Sequence, residues 1–173
     1  QVNELAPMKR PFMADSMDPD GTRASAAFAW RQPDETIALR MWDEAVGDPI
    51  DTDILGRDLR KLALSKGVVM TGFDPMTDKA LARYLTKTKP ISGQEYVNAS
   101  ARFVTAVEAG RIRWHDADAV TADLVFTARK EKDAPGTFEA VRADDSRPIT
   151  AALAAIRAVW LASEITLRLP TGF

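Results

Sequence analysis

A chain of 173 residues and 19.0 kDa, 46% apolar and 28% charged, has the composition of one globular domain, and at this length folding buries roughly 70% of the unfolded surface. The complete absence of Cys excludes disulfide scaffolds, zinc–thiolate sites, thiol nucleophiles and iron–sulfur clusters. A formal charge of −2 gives no whole-molecule signature of a nucleic-acid binder, no apolar run approaches the ~18 residues of a membrane span, and residues 1–10 lack the apolar core of a signal peptide. These features predict a soluble, intracellular protein with no membrane partner. Without repeats or linkers, residues 1–173 read as a single domain whose ends, 1–11 and 166–173, are loosely anchored.

Charge is unevenly spread. Arg83, Lys87, Lys89, Arg102, Arg111 and Arg113 outnumber Glu95 and Glu108 in one region, whereas six acids between Asp43 and Asp58 meet only Arg57. In chain order, Phe12-Met13-Ala14 predicts a short strand ending at Asp15, followed by a loop rich in Asp, Pro and Gly. Segments 22–30 and 36–42 flank Gln32-Pro33-Asp34, and Ile37, Leu39 and Met41 alternate with Ala38, Arg40 and Trp42, predicting an antiparallel hairpin. Leu55, Leu59 and Leu62, with Asp51 and Asp53 in front and Gly67 behind, predict an amphipathic helix. Residues 68–73 then predict a buried strand ending at Asp74-Pro75.

Helices are predicted over 77–86 and 94–109, a short helix over 121–130 and a strand over 137–142. Ile149, Leu153, Ile156 and Trp160 form the stripe of a last helix, with Pro148 in its first turn. Trp30, Trp42, Trp114 and Trp160 fall on these patterns as core residues. Three antiparallel strands, a helix and a parallel strand, with further helices, describe an α/β fold: a ribonuclease H-like mixed sheet with helices packed on it.

Acids stand at the edges of these elements: Asp15 past the first strand, Asp74 past the fourth, and Asp144-Asp145 before the last helix. Loops at the carboxyl ends of neighbouring strands share a rim, so the three positions can converge. Crowded carboxylates repel unless a cation joins them, and hard oxygen ligands select Mg²⁺ or Mn²⁺. Two such ions, roughly 3.5–4 Å apart, would suit phosphodiester hydrolysis. Each acid has a plainer reading too: Asp15, Asp18 and Asp20 as turn residues, Asp74 as a turn before Pro75, and Asp145 or Ser146 as a helix cap.

With these residues placed, the sequence resembles the C-terminal nuclease domain of the large terminase subunit of tailed bacteriophages, in particular the type found in phages of actinobacteria. The resemblance spans nearly the whole chain. It rests on Phe12-Met13-Ala14-Asp15 with Asp18, on Thr71-Gly72-Phe73-Asp74-Pro75, and on Gln94-Glu95-Tyr96-Val97 through Phe103. It continues in Gly110-Arg111-Ile112-Arg113 with His115-Asp116, and in Asp144-Asp145-Ser146-Arg147-Pro148-Ile149 ahead of the Ala-rich helix. The resemblance implies metal-dependent endonucleolytic cutting of double-stranded viral DNA during genome packaging in the host cytoplasm. An N-terminal ATPase motor, a small terminase subunit and a portal are the implied partners. No GxxxxGK[ST] phosphate loop is present, so the chain is expected to be a nuclease half separate from its motor.

By the same resemblance Asp15, Asp74 and Asp145 are the expected catalytic metal ligands. Asp144 is the alternative to Asp145, and the sequence does not separate the two. Asp18, Asp20 and His115 are candidates for an outer ring of contacts, the histidine to orient water or touch phosphate. Lys87, Lys89, Arg129, Lys130, Lys132 and Arg147 are candidate phosphate contacts. A ribonuclease H-like resolvase or RNA-strand hydrolase is an alternative reading, as is a non-catalytic docking module of the packaging motor.

Overall fold

The structure, a computed structural model, describes residues 5–42, 44–114 and 116–165. Its main sheet begins with β1 (Phe12–Met17), β2 (Arg23–Arg31), β3 (Ile37–Met41) and the two-residue β4 (Ala45–Val46). Helix α1 (Thr52–Lys66), β5 (Thr71–Phe73), α2 (Lys79–Ala82) and β6 (Thr88–Pro90) follow. The chain continues through α3 (Gly93–Glu108), β7 (Ile112–Trp114), α4 (Asp118–Leu124), β8 (Thr127–Glu131), β9 (Phe138–Arg142) and α5 (Thr150–Glu164). The strand order is β6-β5-β1-β2-β3-β7, with β4 on β2 beyond the end of β3, while β8 and β9 form a separate ribbon. β1, β2 and β3 are antiparallel, whereas β5 pairs with β1, β6 with β5 and β7 with β3 in parallel. This is the expected mixed sheet with helices on it.

Alternation along the strands divides the core into two layers. Phe12, Ala14, Ala27, Ala29, Ile37 and Leu39 pack with α3 and α5, whereas Met13, Ala26, Phe28, Trp30 and Ala38 pack with Leu55 and Leu59 of α1. Alanines dominate both α5 and the strand face beneath it, so helix and sheet approach closely, and α5 is buried on most of its surface. The ends of α1 are set as its sequence predicts. The Asp51 side chain accepts from the backbone N–H of Asp53 and Ile54, and Gly67 closes the helix in the left-handed conformation at φ 66°.

Several boundaries differ from the sequence reading. β1 runs on to Met17, because β2 is long enough to pair it as far as Met17↔Ala24, so Asp15 lies inside the strand rather than past it. The helix expected over 121–130 is instead the end of α4 followed by β8, whose ladder with β9 holds the backbone extended. β5 is limited to three residues, and the helix expected over 77–86 to the four of α2. Trp30 is buried, but Trp114, on an edge strand, is exposed.

Gly72 makes room for the close approach of three elements. A Cβ there would stand 2.8 Å from Ile91 Cδ1 and 3.1 Å from Leu161 Cδ1, with Ala14 Cβ across the ladder at 3.7 Å. Gly72→Ala should therefore cost about 1–3 kcal/mol of stability, read as a lower urea midpoint at unchanged slope.

Candidate active site

The parallel pairing of β1 with β5 decides what meets what. Met13 lies opposite Thr71 and Ala14 opposite Gly72, so Asp15 follows this register by one residue and Asp74 by two. Asp15, inside β1, thus lies beside the carboxyl end of the shorter parallel strand β5, just past which Asp74 stands, the end at which open α/β sheets place ligands. Asp15 is 0% exposed, and neither carboxylate oxygen has a hydrogen-bond partner. Its pKa is raised well above the usual carboxylate range, first by burial and then by the nearby Asp78 charge. A buried acid with two free oxygens is costly in a finished core. A cation bound there would remove the cost.

Asp74 sits half out of the protein. Its Oδ1 accepts from the Met76 N–H at 2.8 Å, and its Oδ2 accepts from Arg157 Nη2 at 2.8 Å. Asp78, at the start of α2, is fully buried. It accepts from Met17 N and Thr77 Oγ1 on one oxygen and from Asp74 N on the other, tying β1 to the turn after β5. Burial raises its pKa to about 6 against these hydrogen bonds.

Arg157 belongs to α5, on the other side of the sheet's end. It is 2% exposed, donates from Nε to Ile91 O at 3.3 Å, and lies 4.6 Å from the centre of the Tyr96 ring. The Tyr96 hydroxyl, pushed up to about 12 mainly by burial, donates to Ala140 O and joins this layer to β9. A cavity of about 360 Å³ opens over these groups, with Asp18, Asp74, Tyr96, Glu139, Arg142 and Arg157 in its wall.

The remaining candidates take other places. Asp144 is exposed and accepts from its neighbour Ser146 N–H at 2.7 Å, and the Asp145 side chain is 95% exposed and pairs with Arg142 at 3.2 Å. Neither is brought to Asp15, although Arg142 lines the cavity. The N-terminus of α5, which Asp145 was expected to approach, is capped by Asp123 instead: its Oδ2 accepts from the N–H of Ala151 at 2.8 Å and of Ala152 at 3.3 Å. Asp18 closes its own loop, accepting from Thr22 and Arg23 N–H and from Thr22 Oγ1, and Asp20 is exposed. Among the described residues, no three His, Asp or Glu side chains are arranged to hold a metal ion. His115 lies outside the described residues.

Of the basic candidates, Arg129, Lys130 and Lys132 belong to the β8–β9 ribbon, where the two lysines face Glu139 and Arg129 stacks on Phe138 while facing Glu108. Lys89 pairs with Glu95, and Lys87 is exposed at φ 52°. Arg147 pairs with Asp123 at 3.1 Å and stacks on Phe126, so its charge already serves the α5 cap.

Three residues that carry the site were missed: Asp78, Asp123 and Arg157. Arg157 left a signal, being the single charged residue between Thr150 and Ser163 in an otherwise apolar, Ala-rich helix. Asp78 left a weaker one, as an acid four residues after Asp74 at a helix start.

Comparison with solved structures places the arrangement. The large terminase of bacteriophage HK97 superposes with a TM-score of 0.76 over 92% of this chain at 11% identity, and this chain spans 41% of that protein's length. The large terminase nuclease of thermophilic phage G20c superposes with a TM-score of 0.65 over 91% of this chain at 12% identity, covering 84% of the nuclease. Its form with bound magnesium gives 0.59. The chain has the ribonuclease H-like fold of a large terminase nuclease. No family model matches the sequence, and no curated protein is similar to it in sequence. Among the described residues, no helix is long and apolar enough to cross a membrane.

The state of Asp15 gives the fold a pH dependence. Unfolded, an aspartate loses its proton near pH 4, whereas in the fold Asp15 keeps it to higher pH, so stability falls as pH rises across this interval. Asparagine carries no such penalty. In EDTA, the melting temperature of Asp15→Asn relative to the parent should climb as pH goes from 4 to 7, and a difference that stays flat would refute the buried, uncompensated acid.

Proposed function

We propose that this domain is a divalent-metal-dependent endonuclease acting on double-stranded DNA, the nuclease part of a phage large terminase. The observation that carries the reading is that the parallel register of β1 and β5 places Asp15 on β1 beside the end of β5 that carries Asp74, with both Asp15 oxygens buried and unclaimed. These donors are all oxygen, which fits Mg²⁺ or Mn²⁺. Asp15 and Asp74 would hold the ion. When bound, such an ion lowers the pKa of water and offsets charge gathering on a phosphodiester.

The chain's own residues do the rest. Asp78 fixes the turn that carries Asp74 by accepting its backbone N–H. The cavity beside Asp74 and Arg157 would take a backbone phosphate. Arg129, Lys130 and Lys132 on the ribbon, Lys87 just before β6 and Lys89 within it would hold the duplex through phosphates, with little sequence preference. The magnesium in the G20c nuclease and the fold likeness support the reading. In the same reading the partners are an ATPase motor, a small terminase subunit and a portal, and the place of action is the host cytoplasm.

A second reading has an observation of its own. Asp144 and Asp145 stand in solvent and Asp74 already has a cationic partner, as suits a docking module of the packaging motor that cuts nothing. Plasmid nicking separates the two. The nuclease should convert supercoiled plasmid to nicked and linear forms with Mn²⁺ and stop in EDTA. Asp15→Asn and Asp74→Asn should each slow it by roughly 10²-fold or more, equivalent to about 3 kcal/mol of barrier. Wild-type protein inert with Mn²⁺ on duplex, hybrid and branched substrates would favour the docking module.

A further inference from the structure

The cavity beside Asp74 and Arg157 is larger and more apolar than a phosphate alone requires. Its charged groups are already engaged: Asp74 with Arg157, Arg142 with Asp145, Glu139 with Lys130 and Lys132, and Asp18 with Thr22 and the Arg23 N–H. The surface left to a ligand is mostly apolar, supplied by Met17, Pro19, Met76, Tyr96, Val141 and Leu153. At about 360 Å³ the cavity falls within the roughly 300–1,000 Å³ of pockets that hold small organic groups. Ser92, in the same wall, precedes α3 without capping it, and its hydroxyl can bond the edge of a ligand.

Met76 is the most exposed large apolar side chain among the described residues, at 86%, and it also lines the cavity, so it stands at the mouth. Its backbone is not free to withdraw it. The Met76 N–H donates to Asp74 Oδ1 at 2.8 Å, the Asp78 N–H to Asp74 O at 2.8 Å and the Asp74 N–H to Asp78 Oδ2 at 2.9 Å, while Pro75 fixes φ between them. A methionine held in water by a fixed turn contributes little burial to the fold. Apolar side chains of this kind, Met among them, act in DNA-binding proteins as wedges that unstack a base step. An extruded base is then received by a pocket of apolar and aromatic side chains with a polar group at its edge.

We infer that the cavity is a nucleobase pocket: where the DNA backbone passes Asp74, Met76 wedges into the stack and one base leaves the duplex to lie against the apolar wall. This rests on the DNA-cutting reading above. It goes beyond that reading by making the substrate a duplex opened at one base, rather than one held through phosphates alone. Extruding a paired base is costly, and a base already unpaired spares that cost, so DNA carrying an unpaired base is the preferred ligand.

The test compares two probes on the full chain, with Ca²⁺ in place of Mn²⁺ so that binding is read without cutting. One is a fully paired duplex, and the other is the same duplex with a single bulged 2-aminopurine. By fluorescence anisotropy the bulged duplex should bind roughly tenfold tighter. Its 2-aminopurine should become shielded from acrylamide quenching in the complex. Met76→Ala keeps the backbone hydrogen bonds of the turn and should lose most of the ratio between the two affinities and most of the shielding. Met76→Leu, which restores apolar bulk, should recover both. Equal affinity of the wild type for the two duplexes, a bulged base left open to acrylamide, or a Met76→Ala protein with the full preference would each overturn the inference. The exposed methionine would then belong to a protein contact, and plasmid nicking with Mn²⁺ would still decide the nuclease reading. No binding to either duplex would overturn both.

Discussion

The parallel pairing of β1 with β5 is the constraint on which the site depends. Residues almost sixty positions apart in the chain are set side by side by two register pairs, Met13↔Thr71 and Ala14↔Gly72, and the acids just beyond them share one end of the sheet. A slip of one residue would turn Asp15 to the opposite face and bring Ala14 or Ser16 to its place. Gly72 protects the register from the side: it is the narrow point where β5, Ile91 after β6 and Leu161 of α5 converge, so the packing that holds the helix also holds the acids. Stability and the geometry of the candidate site are therefore set by the same contacts.

Around that pairing, each acid has a different electrostatic task. Asp78 is structural, since its hydrogen bonds join β1 to the turn carrying Asp74. Asp123 is structural as well, because its carboxylate satisfies two N–H groups at the start of α5 and so orients the helix that carries Arg157. Asp15 alone is left with nothing to do within the fold. Native interiors rarely tolerate that without a reason outside the protein, and an inorganic cation or the phosphate chemistry it serves is a sufficient one.

The sequence made the fold class legible because its signals were local and redundant. The β3 alternation, the Asp51 and Gly67 ends of α1, and the apolar stripe of α5 each fix an element by short-range chemistry, and their order implies a mixed sheet. Asp15 and Asp74 were legible for the same reason, being acids beside apolar runs. Asp144 and Asp145 show the limit of that logic. Closeness to a helix start says nothing about which acid reaches the helix, and Asp123 from α4 is brought there by the tertiary fold. The 121–130 segment failed similarly: Thr127, Ala128 and Arg129 have no strong local preference, and a ladder with β9 decided their conformation.

Arg157 shows how a site can be read from its unsatisfied groups rather than from its acids. An aspartate paired with a lone buried arginine would be an ordinary, if expensive, structural pair were both saturated. Here Arg157 pairs with Asp74 through Nη2, yet its Nη1 and both oxygens of Asp15 remain buried and unpartnered, so the cluster is only partly saturated. The sheet fixes the backbone of Asp15, and the Ala-rich packing of α5 fixes that of Arg157. A rigid frame that leaves polar groups unsatisfied leaves a place for a ligand, and the cavity beside Asp74 and Arg157 is where this region opens to solvent.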